Sequence, residues 1–294
     1  MTVMPIEVSI VVAAKNAKHL LGGLFESVGA LPPDCRSACE VIVVDAASSD
    51  GTSAWLQRTA AEDRSPLLRF FSEPDAGIAD AWNKGVRLVR GEWVLFLGAD
   101  DRVAEGEAFP AALAVLGSAS HQVAAVAFPI VVFGLPDSST VVCTPILGRN
   151  NAVFQQVNTL PHQGVFHRRE TWQRHGPFDT RFELAADYEF LLRLVTRGDP
   201  VIIAASLPPV RMAAGGISKQ DPLRVLREFR FAQSLNGIAG VRWLWWAAWL
   251  KSLVRTITAM ALGERTARKV SDGLRRRKLQ IKNCKPARVT TKWH

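Results

Sequence analysis

The sequence predicts an α/β fold, a mostly parallel sheet with helices on both faces, followed by a helical C-terminal extension. Two observations carry this. Over residues 6–101, short β-branched runs alternate with stretches of helical periodicity in the order β-α-β-α-β-α-β. Such an order pairs strands in parallel and places the connecting helices on both faces of the sheet. In addition, acidic residues follow the strand runs, namely Asp45, Glu73, Asp75, Asp100 and Asp101. Sheets of this kind bind ligands beyond the carboxyl ends of their strands.

The elements follow in order. Val8 to Ala13 is β-branched and reads as a buried strand. Leu21, Leu24, Phe25, Val28 and Leu31 recur at helical spacing until Pro32-Pro33. A second strand runs from Glu40 to Asp45, and Asp50 or Thr52 caps a helix reaching about Glu62. Leu67 to Phe71 is a third strand, Ala76 to Arg90 a third helix, and Trp93 to Leu97 a fourth strand. Further on, Val123 to Phe133 and Thr140 to Cys143 read as strands around the turn Gly134-Leu135-Pro136-Asp137. Residues 147–160 read as a long polar loop, Gly164 to His167 as a strand, Leu184 to Thr196 as an amphipathic helix and Val201 to Leu207 as a strand. Gly215-Gly216-Ile217-Ser218 suits a loop that closes over a ligand. From Pro222 onward the pattern is helical.

Composition is globular, with 48% hydrophobic and 21% charged residues, which excludes a wholly disordered or collagen-like chain. Residues 263–294 hold eleven Lys and Arg against two acids, which accounts for the whole formal charge of +9. The body is therefore neutral, and no nucleic-acid partner is expected. Cys35, Cys39, Cys143 and Cys284 offer neither a zinc pattern nor a disulfide framework and read as reduced thiols of a cytoplasmic protein. The first apolar run follows Glu7 and is broken by Lys15, so no signal peptide is expected.

Several residues invite chemistry, and each has a plainer alternative. Asp100-Asp101, directly after an apolar strand, suit Mg2+ or Mn2+ with a diphosphate, or equally a solvated acidic turn. Asp45 lies where a nucleotide base or ribose would sit, or it bonds amides of the Ser48-Ser49-Asp50-Gly51 turn. Asp75 and Asp80 suit a helix N-terminus, and Lys84, Arg87 and Arg90 a solvated face. Asp187 opens an apolar helix, as a dipole-stabilised acid or as a general base facing a pocket. His162 and His167 flank a strand and, five apart, should point to opposite faces, with His162 favoured for the pocket.

Taken together, these pieces resemble the family 2 glycosyltransferases of the GT-A fold. The resemblance is carried by Val8 to Asn16, by Val41-Ile42-Val43-Val44-Asp45-Ala46-Ala47-Ser48-Ser49-Asp50-Gly51-Thr52, by Ser72 to Gly85 with Gly91 to Asp101, and by Pro161-His162-Gln163 through Ala186-Asp187-Tyr188-Glu189. It spans roughly residues 6–218, so 1–220 is expected to be the catalytic domain. The resemblance implies a nucleotide-diphospho-sugar donor, most often a UDP-sugar. The donor is expected to contact Ala13, Asn16, Asp45, Asp80, Lys84 and Asp100. A Mn2+ or Mg2+ cofactor is expected at Asp100 and Asp101 with His162. Asp187 is implied as the base of an inverting transfer to an acceptor hydroxyl. The chain departs from the family pattern at Gly98, Ala79, Trp82 and Ala186, where relatives carry an acid, an aromatic, a methionine and an acid.

Residues 221–262 read as amphipathic helices. Trp243, Trp246, Leu250, Leu253, Val254, Ile257 and Met260 share one face, with Lys251, Arg255 and Thr258 on another. That pattern suits a helix lying in a membrane interface, or one packed on protein. The basic tail 263–294, with Arg275-Arg276-Arg277-Lys278, would strengthen binding to anionic lipid. A peripheral protein at the inner face of the membrane, with a glycan or lipid-linked acceptor, is the expectation. A nucleotidyltransferase is disfavoured because Ala13-Ala14-Lys15-Asn16 lacks glycine. A catalytically silent GT-A-like binding protein at the membrane is the alternative.

Overall fold

The computed structural model describes residues 6–61, 67–135, 138–215 and 221–239, and within 246–257 residues 246, 249, 250, 252–254 and 257. The chain divides into two units, Met1–Gly240 and Val241–His294.

In the first unit the expected alternation is present. β1 (Val8–Ala14), α1 (Lys18–Gly29), a short α2 (Pro33–Ser37), β2 (Cys39–Asp45), α3 (Thr52–Ala60), β3 (Leu67–Ser72), α4 (Ile78–Val86) and β4 (Trp93–Gly98) follow one another. Strands β3, β2, β1 and β4 lie side by side in parallel, with Ala14 opposite Asp45, Asp45 opposite Ser72, and Ala13 opposite Gly98. The period-two alternation sorts their side chains onto two faces. Val8, Ile10 and Val12 pack with Leu21, Leu24 and Val28 of α1. Val11, Ile42, Val94 and Phe96 pack with Trp82 of α4. Both faces of β1, β2 and β4 are buried, which explains why they read as unbroken apolar runs, while β3 at the sheet edge is only partly buried.

Beyond β4 the chain completes a seven-stranded sheet in the order β10-β6-β9-β4-β1-β2-β3. The added strands are β6 (Ala125–Ala127), β9 (Val165–Arg168) and β10 (Val201–Ile203). β9 runs antiparallel between β4 and β6. A second sheet, β5-β11-β7-β8, holds β5 (Arg102–Val103), β7 (Ile130–Phe133), β8 (Val141–Cys143) and β11 (Val210–Ala213). The helices are completed by α5 (Ala108–Ser118), α6 (Glu170–His175), α7 (Ala186–Thr196) and α8 (Pro222–Leu235).

Three expectations are corrected. The strand expected over 123–133 is two strands, β6 in the main sheet and β7 in the second. The break falls at Phe128-Pro129, where proline has no N–H to give to a ladder. The segment 147–160 is not a solvated loop, because Phe154 and Leu160 are buried and the Tyr188 hydroxyl donates to the Phe154 and Gln155 carbonyls. His162 precedes β9 in a 3-10 turn, so strand alternation does not apply to it. Its ring lies 5.7 Å from that of His167, on one side of the sheet. α8 falls within the first unit, Met1–Gly240.

The tip residues Pro136 and Asp137, residues 216–220 of the glycine loop and the basic tail 263–294 lie outside the described residues, as does most of 241–262. In the second unit, Trp246, Leu250, Val254 and Ile257 are exposed, and Trp246 meets Trp249 edge-on at 5.8 Å. Among the described residues no helix is long and apolar enough to cross a membrane. Cys35, Cys39 and Cys143 are free thiols.

Two predictions follow from packing. A Cβ at Gly91 would lie 2.7 Å from the Ser9 nitrogen and 2.9 Å from the Val8 carbonyl carbon, both backbone atoms. Gly91→Ala should therefore lower the urea midpoint with unchanged slope, at a cost of roughly 1–3 kcal/mol. His162 and His167 are buried among Trp82, Phe96, Trp172, Phe178 and Phe190, and among the described residues neither nitrogen of either ring has a hydrogen-bond partner. Burial drives His162 down from 6.5 to about 3. Burial, then the neighbouring His162, holds His167 well below its ordinary value. The neutral rings thus stabilise the fold fully above about pH 6.5, and that contribution is lost as pH falls toward 3, where the unfolded chain takes up the protons. Replacing either histidine by phenylalanine should shrink the difference in unfolding free energy between pH 7 and pH 4, measured by urea titration at both.

Candidate active site

The carboxyl ends of β1 and β2 deliver two loops that are stitched together. Asn16, at φ 51°, donates its N–H to Ser48 Oγ at 2.7 Å and accepts from the Ser49 N–H at 3.0 Å. The Ala17 N–H donates to Thr52 Oγ1 at 3.1 Å, and the Lys18 N–H to Asp50 at 3.1 Å. Asp50 also accepts the Thr52 N–H at 3.0 Å, and the Thr52 hydroxyl holds its carboxyl below the ordinary value. The polar residues of the β2–α3 turn are thus spent on fixing the loop after β1.

Asp45 is fully buried. Its carboxylate accepts from the Ser48 N–H at 3.2 Å, from the Ser48 hydroxyl, and from the Ser72 hydroxyl at 2.6 Å. As placed, it braces the ends of β2 and β3 beneath the rim, while Ala13 is half-buried and Asn16 exposed above it. Asp80 and Lys84 also turn inward on their own loop. Lys84 Nζ donates to the Pro74 carbonyl at 2.7 Å, Glu73 at 3.0 Å and Asp80 at 3.2 Å, which fills its three donors. Asp80 accepts the Ala76 N–H at 3.1 Å, and this bond leads the causes that hold its carboxyl low.

After β4 the chain turns at Gly98. A Cβ there would meet Asp100 Oδ1 at 2.8 Å and Asp101 Oδ2 at 3.1 Å, so both carboxylates converge over this glycine. Asp100 is exposed. Asp101 is buried and accepts the Gly98 N–H at 2.7 Å and the Ala213 N–H at 2.9 Å, which joins the main sheet to β11. Burial pushes its carboxyl up to about 7, against the pull of those two amides. Two carboxylates converging on one small space fit a divalent cation that takes its remaining ligands from water and a diphosphate. The expected third ligand does not join them. Among the described residues no three His, Cys, Asp or Glu gather into a metal site, and the His162 ring instead stacks on Phe96 at 5.2 Å.

Asp187 stands in the first turn of α7. Burial pushes its carboxyl up to about 6, against backbone amides and the Asn158 side chain. Asn158 Nδ2 donates to Asp187 Oδ2 at 3.4 Å, while its Oδ1 accepts the Leu160 N–H at 3.1 Å, which fixes the amide's direction. The flanking Ala186 and Tyr188 belong to the same buried cluster as Phe96 of β4 and Trp82 of α4. Trp82 lies 4.8 Å from the His162 ring and 5.2 Å from Phe178, and Asn83 bonds both the N–H and the carbonyl of Phe178.

A cleft of about 660 Å³ runs along edge strand β3, and of the expected donor residues only Lys84 lines it. Asp45, Asp100, Asp101 and Asp187 line neither that cleft nor a polar one of about 560 Å³ beside Asn83 and Arg193. What Asp45, Asp100 and Asp101 share is the rim where the parallel strands end; Asp187 stands in the first turn of α7, between Ala186 and Tyr188 of the cluster that holds Phe96 and Trp82. Sequence reasoning missed Ser72, Asn158 and Glu228 of α8. Ser72 was within reach, because it ends the strand beside Asp45. Asn158 sits in an irregular segment, and Glu228 acts from a helix distant in sequence.

Known proteins resolve the identity. The model of "Glycosyl transferase family 2" matches residues 9–168. The "PGL/p-HBAD biosynthesis glycosyltransferase" of Mycobacterium bovis (strain BCG / Pasteur 1173P2) is 28% identical over 206 residues, 67% of this chain and 75% of that protein. S. aureus TarS 1-349 in complex with UDP-GlcNAc superposes with a TM-score of 0.59 at 14% identity, covering 92% of each chain. Mannosyltransferase PcManGT from Pyrobaculum calidifontis, in complex with GDP-Man and Mn2+, gives 0.56 at 20%, covering 95% of this chain and 84% of that one. The chain therefore belongs to glycosyl transferase family 2 and is a glycosyltransferase of the GT-A fold that acts on nucleotide sugars.

Proposed function

We propose that the protein is an inverting transferase that moves a sugar from a UDP-sugar to a hydroxyl of a lipid-linked glycan, at the cytoplasmic face of a membrane. The observation that carries the chemistry is Asp187, a carboxylate held at a helix start with its pKa pushed up to about 6. A base poised just below neutrality is ionised at working pH and still takes a proton readily. Asp187 removes the acceptor hydroxyl proton as that oxygen attacks the anomeric carbon, and a single displacement aided by one base inverts the centre. Asn158 orients the carboxylate from its fixed amide.

Asp100 and Asp101 would hold the divalent cation, which when bound offsets the charge developing on the departing diphosphate. Asn16 and the stitched loops after β1 and β2 wall the nucleotide side, with Asp45 bracing them from below. The donor class is supported by the UDP-GlcNAc and GDP-Man complexes of the neighbours. The exposed Trp246, Leu250, Val254 and Ile257 and the basic tail support the membrane contact.

Three measurements test this reading. Thermal unfolding with UDP-, GDP- and dTDP-sugars, with and without Mn2+, should show the largest stabilisation for one UDP-sugar with metal. Asp100→Ala should abolish the metal-dependent part of that shift and leave the unliganded Tm unchanged, since Asp100 is exposed. Asp101→Ala should lower the unliganded Tm as well, by stranding the Gly98 and Ala213 amides. Asp187→Asn should retain the donor shift and lower transfer by on the order of 10²–10⁴-fold. In the wild type, transfer should rise with an acidic limb near pH 6 and level off above it. Replacing Arg275, Arg276, Arg277 and Lys278 by Gln in the full chain should weaken flotation with anionic vesicles, and unchanged flotation would remove the membrane contact from the proposal.

A further inference from the structure

We propose that Glu228, on α8, is a positioning residue for the catalytic base: it clamps the backbone leading into α7 and thereby sets where Asp187 points. The inference rests on the reading of Asp187 as the base. α7 begins without a cap of its own, because Ala185 and Ala186 carry no side-chain acceptor. Glu228 fills that gap from another helix. One of its oxygens, Oε2, accepts the N–H groups of Leu184 and Ala185, each at 2.9 Å, and Oε1 accepts that of Glu183 at 3.4 Å. A carboxylate gathering successive amides just before a helix start does the work of a capping side chain and favours the helix dipole.

The clamp is itself held. The Glu228 side chain is 13% exposed and lies 3.6 Å from the Arg224 guanidinium, which also pairs with Glu183. Phe231, one turn along α8, stacks on Phe182 at 5.2 Å, and Phe229 meets Tyr188 at 4.4 Å. Gln233 donates to the Tyr188 hydroxyl at 3.2 Å and to the Gln156 carbonyl at 2.9 Å. α8 is thus fastened to Tyr188 beside the base, to the backbone at 183–185 that leads into α7, and to the segment that carries Asn158. The charged groups facing the clamp are Arg224, Glu183 and Asp187, and the like charge of Glu228 adds to burial in raising the Asp187 carboxyl.

The test uses the full chain and needs no substrate. The Asp187 carboxyl carbon is titrated by NMR in the wild type and in Glu228→Gln, which keeps the shape and removes the charge. Amide exchange is followed in Glu228→Ala. The expected results are a lower titration midpoint for Asp187 in Glu228→Gln, and exchange at Leu184 and Ala185 on the order of tenfold faster in Glu228→Ala, with Leu113 of α5 unchanged. An unmoved midpoint or unchanged exchange at 184 and 185 overturns the clamp. Release of UDP from UDP-GlcNAc with Mn2+ is the separate arm: Asp187→Asn turning over like the wild type removes the base, and the clamp's function with it, even if the NMR results hold.

Discussion

The parallel ladder β3-β2-β1-β4 is the constraint on which the other features depend. Its strands end at one level because their registers are locked, with Ala14, Asp45 and Ser72 in one row and Ala13 beside Gly98. A one-residue slip in any of them would exchange the side chains of the two buried faces, so register and core specify each other. The opposite end is fixed as firmly. Glu40, fully buried in β2, accepts the Ser9 hydroxyl at 2.5 Å and the Arg90 N–H at 2.7 Å, while Ser9 accepts the Gly91 N–H at 2.9 Å. With both ends held, the loops after the strands can be irregular without moving.

The carboxylates on this frame have divided their labour by burial. Asp45 has its oxygens occupied by serine and backbone donors and acts as a brace. Asp101 ties two sheets together while still facing its neighbour across Gly98. Asp100 is open to solvent. Asp187 is raised by burial into the range where a base is useful, on a helix whose start is held from outside. Residues of one chemical type thus differ as buried strut, tie between sheets, exposed carboxylate and carboxylate raised by burial, and the surrounding atoms decide which.

Much of the fold was legible because buried parallel strands and the helices between them are written in long apolar runs. The second sheet was not. β5 has two residues and β11 four, too short to display alternation, and α5 is apolar on every side, so it shows no face. At the site, the order of acids along the chain pointed to the rim where the parallel strands end, yet it could not separate Asp45 as brace from Asp100 as exposed carboxylate, since both follow a strand. Lys84 illustrates the same limit: its charge suggested a phosphate, while its three donors turn to Pro74, Glu73 and Asp80. His162 was misplaced because a 3-10 turn interrupts the alternation that the strand assignment assumed.

Gly98 constrains how this enzyme can be altered. The family pattern suggests restoring an acid there to complete a three-carboxylate cradle, but the room for even one carbon is already taken by oxygens of Asp100 and Asp101. A longer residue would have to displace the exposed Asp100 carboxylate and press on the Asp101 oxygen that the Gly98 N–H holds. An acid added at position 98 therefore rearranges the pair it joins, Asp100 first, because that carboxylate is open to solvent while Asp101 is tied to two amides.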